Sequence, residues 1–99
     1  MVIIAGHVLV AEAERDRCVA LFQDLVRRCR EADGCIDMAI SADPVDPARV
    51  NNLEVWASAE ALDAWRAVAD APDPGVAMDA SAMARDDATD GGPLFPSTA

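Results

Sequence analysis

The chain has 99 residues, and eighteen acids against eight basic side chains give it a formal charge of −10; every basic residue is an arginine. That length holds one core, so a single domain over residues 1–99 is expected. With no basic stripe to neutralise phosphates, nucleic acid and anionic membrane surfaces are not expected partners. No segment approaches the roughly 20 apolar residues of a membrane span. The apolar run Met1 to Ala5 lacks a basic flank and a cleavage pattern, so a soluble cytoplasmic protein is expected.

Val2 to Val10 predicts the first strand, rich in β-branched residues and apolar on both faces. Val2, Ile4, Val8 and Val10 share one face; Ile3, Ala5 and Leu9 share the other, with His7 among them. From Ala13 to Ala32 the residues Cys18, Leu21, Phe22, Leu25, Cys29 and Ala32 recur at the spacing of an amphipathic helix, and Gly34 is its expected C-terminal cap. Cys35 to Ala42 predicts a second strand with Ile36, Met38 and Ile40 on one face. Asp43-Pro44-Val45-Asp46-Pro47 is a rigid turn, because each proline fixes its own φ and biases its predecessor away from helix.

Arg49 to Ala57 predicts the third strand, which lines up Asn52, Glu54 and Trp56 on one face. Ser58 is the expected N-cap of a helix running to Asp70, with Leu62, Trp65 and Ala69 as its apolar stripe. Met83 to Asp90 is a candidate polar edge strand. In the tail Gly91 to Pro96, Leu94 and Phe95 are expected to be ordered only if they dock on something. The order of elements is βαββαβ, the ferredoxin-like α+β arrangement of a four-stranded antiparallel sheet with two helices on one face. Two helices cover one face only, so the apolar second face of the first strand predicts a homodimer through the sheet.

Cys18, Cys29 and Cys35 are an odd number without a C-x-x-C pair, which argues against a disulfide framework and a zinc site and for small buried hydrophobes. Only Cys29, between Arg28 and Arg30, has the cationic sequence neighbours that favour a thiolate. A single histidine makes a metal site improbable. Imidazole does suit proton abstraction near neutral pH, and a hydrogen-bonded core role for His7 is the competing reading. Asn52 either serves the Asp-Pro turn, as Asn51 equally can, or presents its amide to a ligand oxygen. A carboxylate between Asn52 and Trp56 on a covered face needs a partner, and Glu54 is expected to pair with Arg49, Arg66 or His7 or to act on a substrate.

The segments Ile4-Ala5-Gly6-His7, Gly34-Cys35, Ser41-Ala42-Asp43-Pro44 and Asn52-x-Glu54-x-Trp56 with Ala61-Leu62 together resemble the antibiotic biosynthesis monooxygenase family. The resemblance covers roughly residues 1 to 70. It implies a dimeric α+β barrel and a cofactor-independent monooxygenase that oxidises a small hydroxylated aromatic of the anthrone or quinol type, with dioxygen as co-substrate. In anthrone-oxidising members an Asn and a Trp four residues later line the pocket, the spacing of Asn52 and Trp56. On that reading His7 is the candidate base and Asn52 and Trp56 are donors to the substrate. Phe22, Met38 and Trp65 are walls, and Arg66 stands at the pocket mouth. Oxygenase members commonly use pocket tyrosines, and this chain has none. That departure supports the alternative of a non-catalytic dimeric small-molecule-binding or accessory protein. A haem-degrading relative is third, because the histidine those members carry on the second helix is missing.

Overall fold

Runs rich in apolar and β-branched residues build three long strands, and a computed structural model describes residues 1–95 of the chain. The strands are β1 (Val2–Leu9), β2 (Cys35–Ala42), β3 (Arg49–Trp56) and a short β4 (Ala84–Asp87). Between β1 and β2 lie a 3-10 turn (Glu12–Glu14) and the helices α1 (Arg15–Leu21) and α2 (Gln23–Arg30); α3 (Ala59–Arg66) follows β3. The sheet order is β2-β3-β1-β4 with every pairing antiparallel, which is the ferredoxin-like fold.

Register decides which faces coincide. Val2 pairs with Trp56, Ile4 with Glu54, Gly6 with Asn52 and Val8 with Val50, while Met38 pairs with Glu54 and Ile40 with Asn52. These residues share the face covered by the helices, where Val50 is buried and Val2, Ile4, Met38 and Trp56 pack with Leu25 and Cys29 of α2 and Leu62 and Trp65 of α3 in one core cluster. Burying each large apolar side chain there contributes roughly 1.5–3 kcal/mol. The opposite face carries Ile3, Ala5, His7, Leu53 and Val55, all half-buried in the single chain, with no helix among the described residues over them.

Two glycines set the close approaches. Gly34 has φ +80°, and a Cβ on it would stand 2.5 Å from the Ala61 Cβ, so only glycine lets α3 seat on the turn between α2 and β2. At Gly6 (φ +142°) a Cβ would stand 2.1 Å from the Ala82 carbonyl oxygen, so the chain leading into β4 passes directly against β1.

The expected helix over 13–32 is interrupted at Phe22, whose N–H is shared between the carbonyls of Cys18 and Val19, each at 3.3 Å. That shared bond tightens one turn without proline or glycine. The helix stops at Arg30, earlier than the Gly34 cap implied, and β1 ends at Leu9, with the Val10 N–H still donating across to the Ala48 carbonyl at 2.9 Å in the β1–β3 register. Ser58 is the N-cap, its Oγ accepting from the Ala61 N–H at 3.1 Å. The helix it starts ends at Arg66 rather than Asp70, since Val68 closes a 3-10 turn on Trp65 and Asp70 takes a left-handed conformation (φ +48°). The polar fourth strand is four residues long and pairs with Val2–Ala5. Leu94 and Phe95 are exposed in the single chain, and Pro96 of the expected tail lies outside the described residues. Among the described residues no helix is long and apolar enough to cross a membrane.

Candidate functional site

Between the helices and the sheet lies a cavity of about 230 Å³. Its roof is Cys18 of α1, Phe22 at the helix break and Leu25 of α2. Its floor is Val8 of β1, Met38 and Ile40 of β2, and Val50, Asn52 and Glu54 of β3, with Met78 at the side. Eight of these ten lining residues are apolar; the polar side chains are Asn52 and Glu54, two positions apart on one strand face. An apolar cavity with two convergent polar groups is the usual form of a small-molecule site.

Those two groups are held by their own strand. Asn52 Nδ2 donates to the Val50 carbonyl at 3.0 Å, which uses one of its two hydrogens and fixes the amide plane. Trp56 Nε1 donates to Glu54 Oε1 at 3.1 Å, and Glu54 makes no ion pair among the described residues. Trp56 itself is fully buried and stacks on Trp65, ring centroids 6.4 Å apart. Such a pair contributes about 0.5–1.5 kcal/mol beyond its buried area. Arg28 closes the stack: its guanidinium lies 5.8 Å from the Trp65 ring centroid and donates to the Ala69 carbonyl at 2.7 Å and Asp24 at 2.8 Å. The carboxylate of the cavity is thus oriented by an indole that the core holds rigid.

Of the eight residues singled out in the sequence, the fold brings Phe22, Met38, Asn52 and Glu54 together at the cavity. The other four stand elsewhere. Trp56 and Trp65 are core residues behind the cavity, and Trp56 spends its indole N–H on Glu54, so it has none for a ligand. Arg66 is exposed at the end of α3. His7 pairs across β1 and β3 with Asn51, on the sheet face opposite Asn52, so the strand itself separates imidazole from cavity. The Asp-Pro turn is served by Asn51, whose Nδ2 donates to Asp43 Oδ1 at 2.9 Å, which leaves Asn52 to the cavity. The N–H groups of Asp46 and Val45 and the Asn51 amide hold the Asp43 carboxyl down at about 2.

Val8, Cys18, Leu25, Ile40 and Val50 complete the lining; the first four belong to apolar stripes visible in the sequence and Val50 shares the strand face of Asn52 and Glu54, and what periodicity omits is the register that stacks those faces. Met78 lies in the connection after α3 and carries no periodic signal. Cys29 is the small buried hydrophobe expected rather than a thiolate: it is fully buried, and burial foremost, then Cys35 and Glu54, push its thiol up to about 12. Among the described residues no three His, Cys, Asp or Glu side chains converge to hold a metal ion.

Comparison with known proteins places this geometry. The sequence profile described as antibiotic biosynthesis monooxygenase matches residues 1–71. No curated protein matches the chain. Among solved structures, a candidate antibiotic biosynthesis monooxygenase from Chloroflexus aurantiacus superposes with a TM-score of 0.73 at 19% identity, over 95% of this chain and 98% of the other. A second candidate of that class, from Deinococcus radiodurans, gives 0.67 at 17% identity over 97% and 100%. A conserved protein of unknown function from Bacteroides thetaiotaomicron, noted as a possible oxidoreductase, gives 0.70 at 19% identity over 86% and 94%. At these identities the structures share the fold, and the profile match over most of the length carries the assignment: the chain belongs to the antibiotic biosynthesis monooxygenase family.

Proposed function

We propose that the protein is a cofactor-independent monooxygenase that oxidises a small hydroxylated aromatic with dioxygen in the cavity beneath Phe22. One observation carries the reading: an otherwise apolar cavity presents one carboxylate, Glu54, and one amide, Asn52, side by side. An electron-rich phenol or quinol, once deprotonated, can itself pass an electron to dioxygen. The protein then has to supply a base, a donor for the developing oxyanion and a space from which water is excluded. Glu54 is the base in this proposal, because His7 lies across the sheet; Oε1 is held by the Trp56 indole, and Oε2 accepts from no group among the described residues. The second Asn52 N–H is the donor to the substrate oxygen.

The volume narrows the substrate. At about 230 Å³ the cavity is below the roughly 300–1,000 Å³ of drug-sized sites. That favours one or two fused rings, such as a dihydroxynaphthalene, over a three-ring anthrone, and disfavours a macrocycle such as haem. The working unit in this proposal is a homodimer in which a second copy covers Ile3, Ala5, Leu53 and Val55, the apolar sheet face that the helices leave open.

Oxygen consumption by purified, metal-free protein over a panel of dihydroxynaphthalenes and anthrones tests the reading. Consumption above the spontaneous rate, reduced at least tenfold in Asn52→Ala with the fold intact, supports it. No enhancement with any substrate overturns it in favour of a binding or accessory protein.

A further inference from the structure

The turn between α2 and β2 folds the chain back so that two thiols meet. Ala32 donates its N–H to the Cys29 carbonyl at 3.0 Å, Cys35 donates to the Ala32 carbonyl at 3.1 Å, and Gly34 supplies the left-handed step between them. Cys29 Sγ and Cys35 Sγ then stand 3.9 Å apart, across the seam between helix and strand. Arg30 Nε, on the residue after Cys29, fastens the same seam by donating to the Met38 carbonyl at 2.8 Å.

We infer that Cys29 and Cys35 form an oxidisable dithiol, a redox modification site at which a small-molecule disulfide converts the facing thiols to an intramolecular disulfide joining α2 to β2. Reaching the S–S bond length of about 2.05 Å requires the sulfurs to close by roughly 2 Å. The third thiol, Cys18, is buried in the cavity roof on α1 and makes no thiol contact.

Exposure sets the order of events. Cys35 is half-buried, whereas Cys29 is inaccessible to solvent. The Cys35 thiolate attacks the small disulfide, forming a mixed disulfide and expelling one thiolate. The Cys29 thiolate then attacks the Cys35 sulfur and expels the second. Two protein thiols lose two protons and two electrons, and the small disulfide leaves as two thiols. Burial foremost holds both thiols in the protonated form; their mutual contact raises Cys29 and lowers Cys35, the Glu54 carboxylate on β3 raises both, Asp37 on β2 raises Cys35, and Arg30 on α2 opposes this. The exchange therefore quickens as pH rises. Leu25, one turn before Cys29, and Met38, three residues after Cys35, line the cavity from the two elements that the bond would join, so oxidation would fix the spacing of two cavity walls. None of this depends on the proposed oxygenase chemistry.

The test treats reduced, folded protein with oxidised glutathione and maps the cysteines by peptide mass. The expected product has lost about 2 Da, carries no glutathione, joins Cys29 to Cys35, and melts at a higher temperature than the reduced form. Cys29→Ser should stop at glutathione retained on Cys35, and Cys35→Ser should leave Cys29 unreacted. A bond to Cys18 or to a second chain overturns the inference. So does wild-type protein that keeps glutathione on Cys35, or that stays reduced while the urea-unfolded chain is oxidised. The wild-type peptide map decides even if a variant fails to fold.

Discussion

Replacing Gly34 with alanine adds one methyl group where two independent costs meet. The residue sits at φ +80°, a left-handed conformation that costs an L residue about 1–2 kcal/mol. The new Cβ would also lie 2.5 Å from the Ala61 Cβ, more than 1 Å inside the usual carbon contact of roughly 3.5–4.0 Å. Both partners of that contact are short, so α3 has to shift, and overpacking of this kind costs about 1–3 kcal/mol. The sum is about 2–5 kcal/mol, a large share of the roughly 5–15 kcal/mol that stabilises an ordinary domain. Ala61→Gly removes the clashing methyl at about 1 kcal/mol in helix propensity, yet leaves the left-handed strain untouched. Urea unfolding of wild type, both single variants and the double variant isolates the contact. The double variant should be more stable than additivity allows by about 1–3 kcal/mol. Additivity within about 0.5 kcal/mol would mean that α3 does not press on this turn, and would refute the account of how α3 is seated on the turn between α2 and β2.

Asp43, with its carboxyl held at about 2 by the Asp46 N–H first, then Asn51 and Val45, is depressed below its unfolded value of roughly 3.9. Its contribution to stability is therefore complete above the unfolded value and lost as pH falls through about 2. The stability gap between wild type and Asp43→Ala, read by denaturant unfolding, should be constant near neutral pH and shrink across that acid window; a gap independent of pH there would contradict the turn geometry. On the open sheet face, Leu53→Asp should convert a sedimenting dimer to a monomer, and a wild-type monomer at micromolar concentration would remove the dimer from the proposal. Enlarging the cavity roof with Phe22→Ala should cost about 3–5 kcal/mol if the ring packs as a core residue, and less to the extent that its face already borders empty space. Thermal unfolding with and without bound substrate separates the two.

Much of the fold was legible because its signals are local. A β-branched apolar run marks β1, two-residue alternation marks β2 and β3, Ser58 and its following acid mark the start of α3, and Asp-Pro pairs mark the β2–β3 turn. The candidate site was half legible for a physical reason. Each strand's two faces can be read from its own residues, whereas the pairing that sets one strand's face against another's depends on register, and a one-residue slip exchanges them. Asn52 and Glu54 were therefore found together, while the side on which His7 lies required the His7–Asn51 pairing. The Trp56–Glu54 hydrogen bond and the Cys29–Cys35 contact depend on rotamers and on a turn, neither of which leaves a periodic trace. The break at Phe22 was invisible because no helix-breaking residue marks it.

The central claim is that chemistry occurs on the helix-covered face of the sheet, with Glu54 as base. Steady-state oxygen consumption by Glu54→Gln and His7→Ala, each confirmed folded by its melting curve, tests it most directly. The account predicts a loss in kcat of about 100-fold or more for Glu54→Gln, the usual scale of a general base, and wild-type turnover for His7→Ala. Full activity in Glu54→Gln with loss in His7→Ala would place the chemistry on the other face of the sheet and contradict the account.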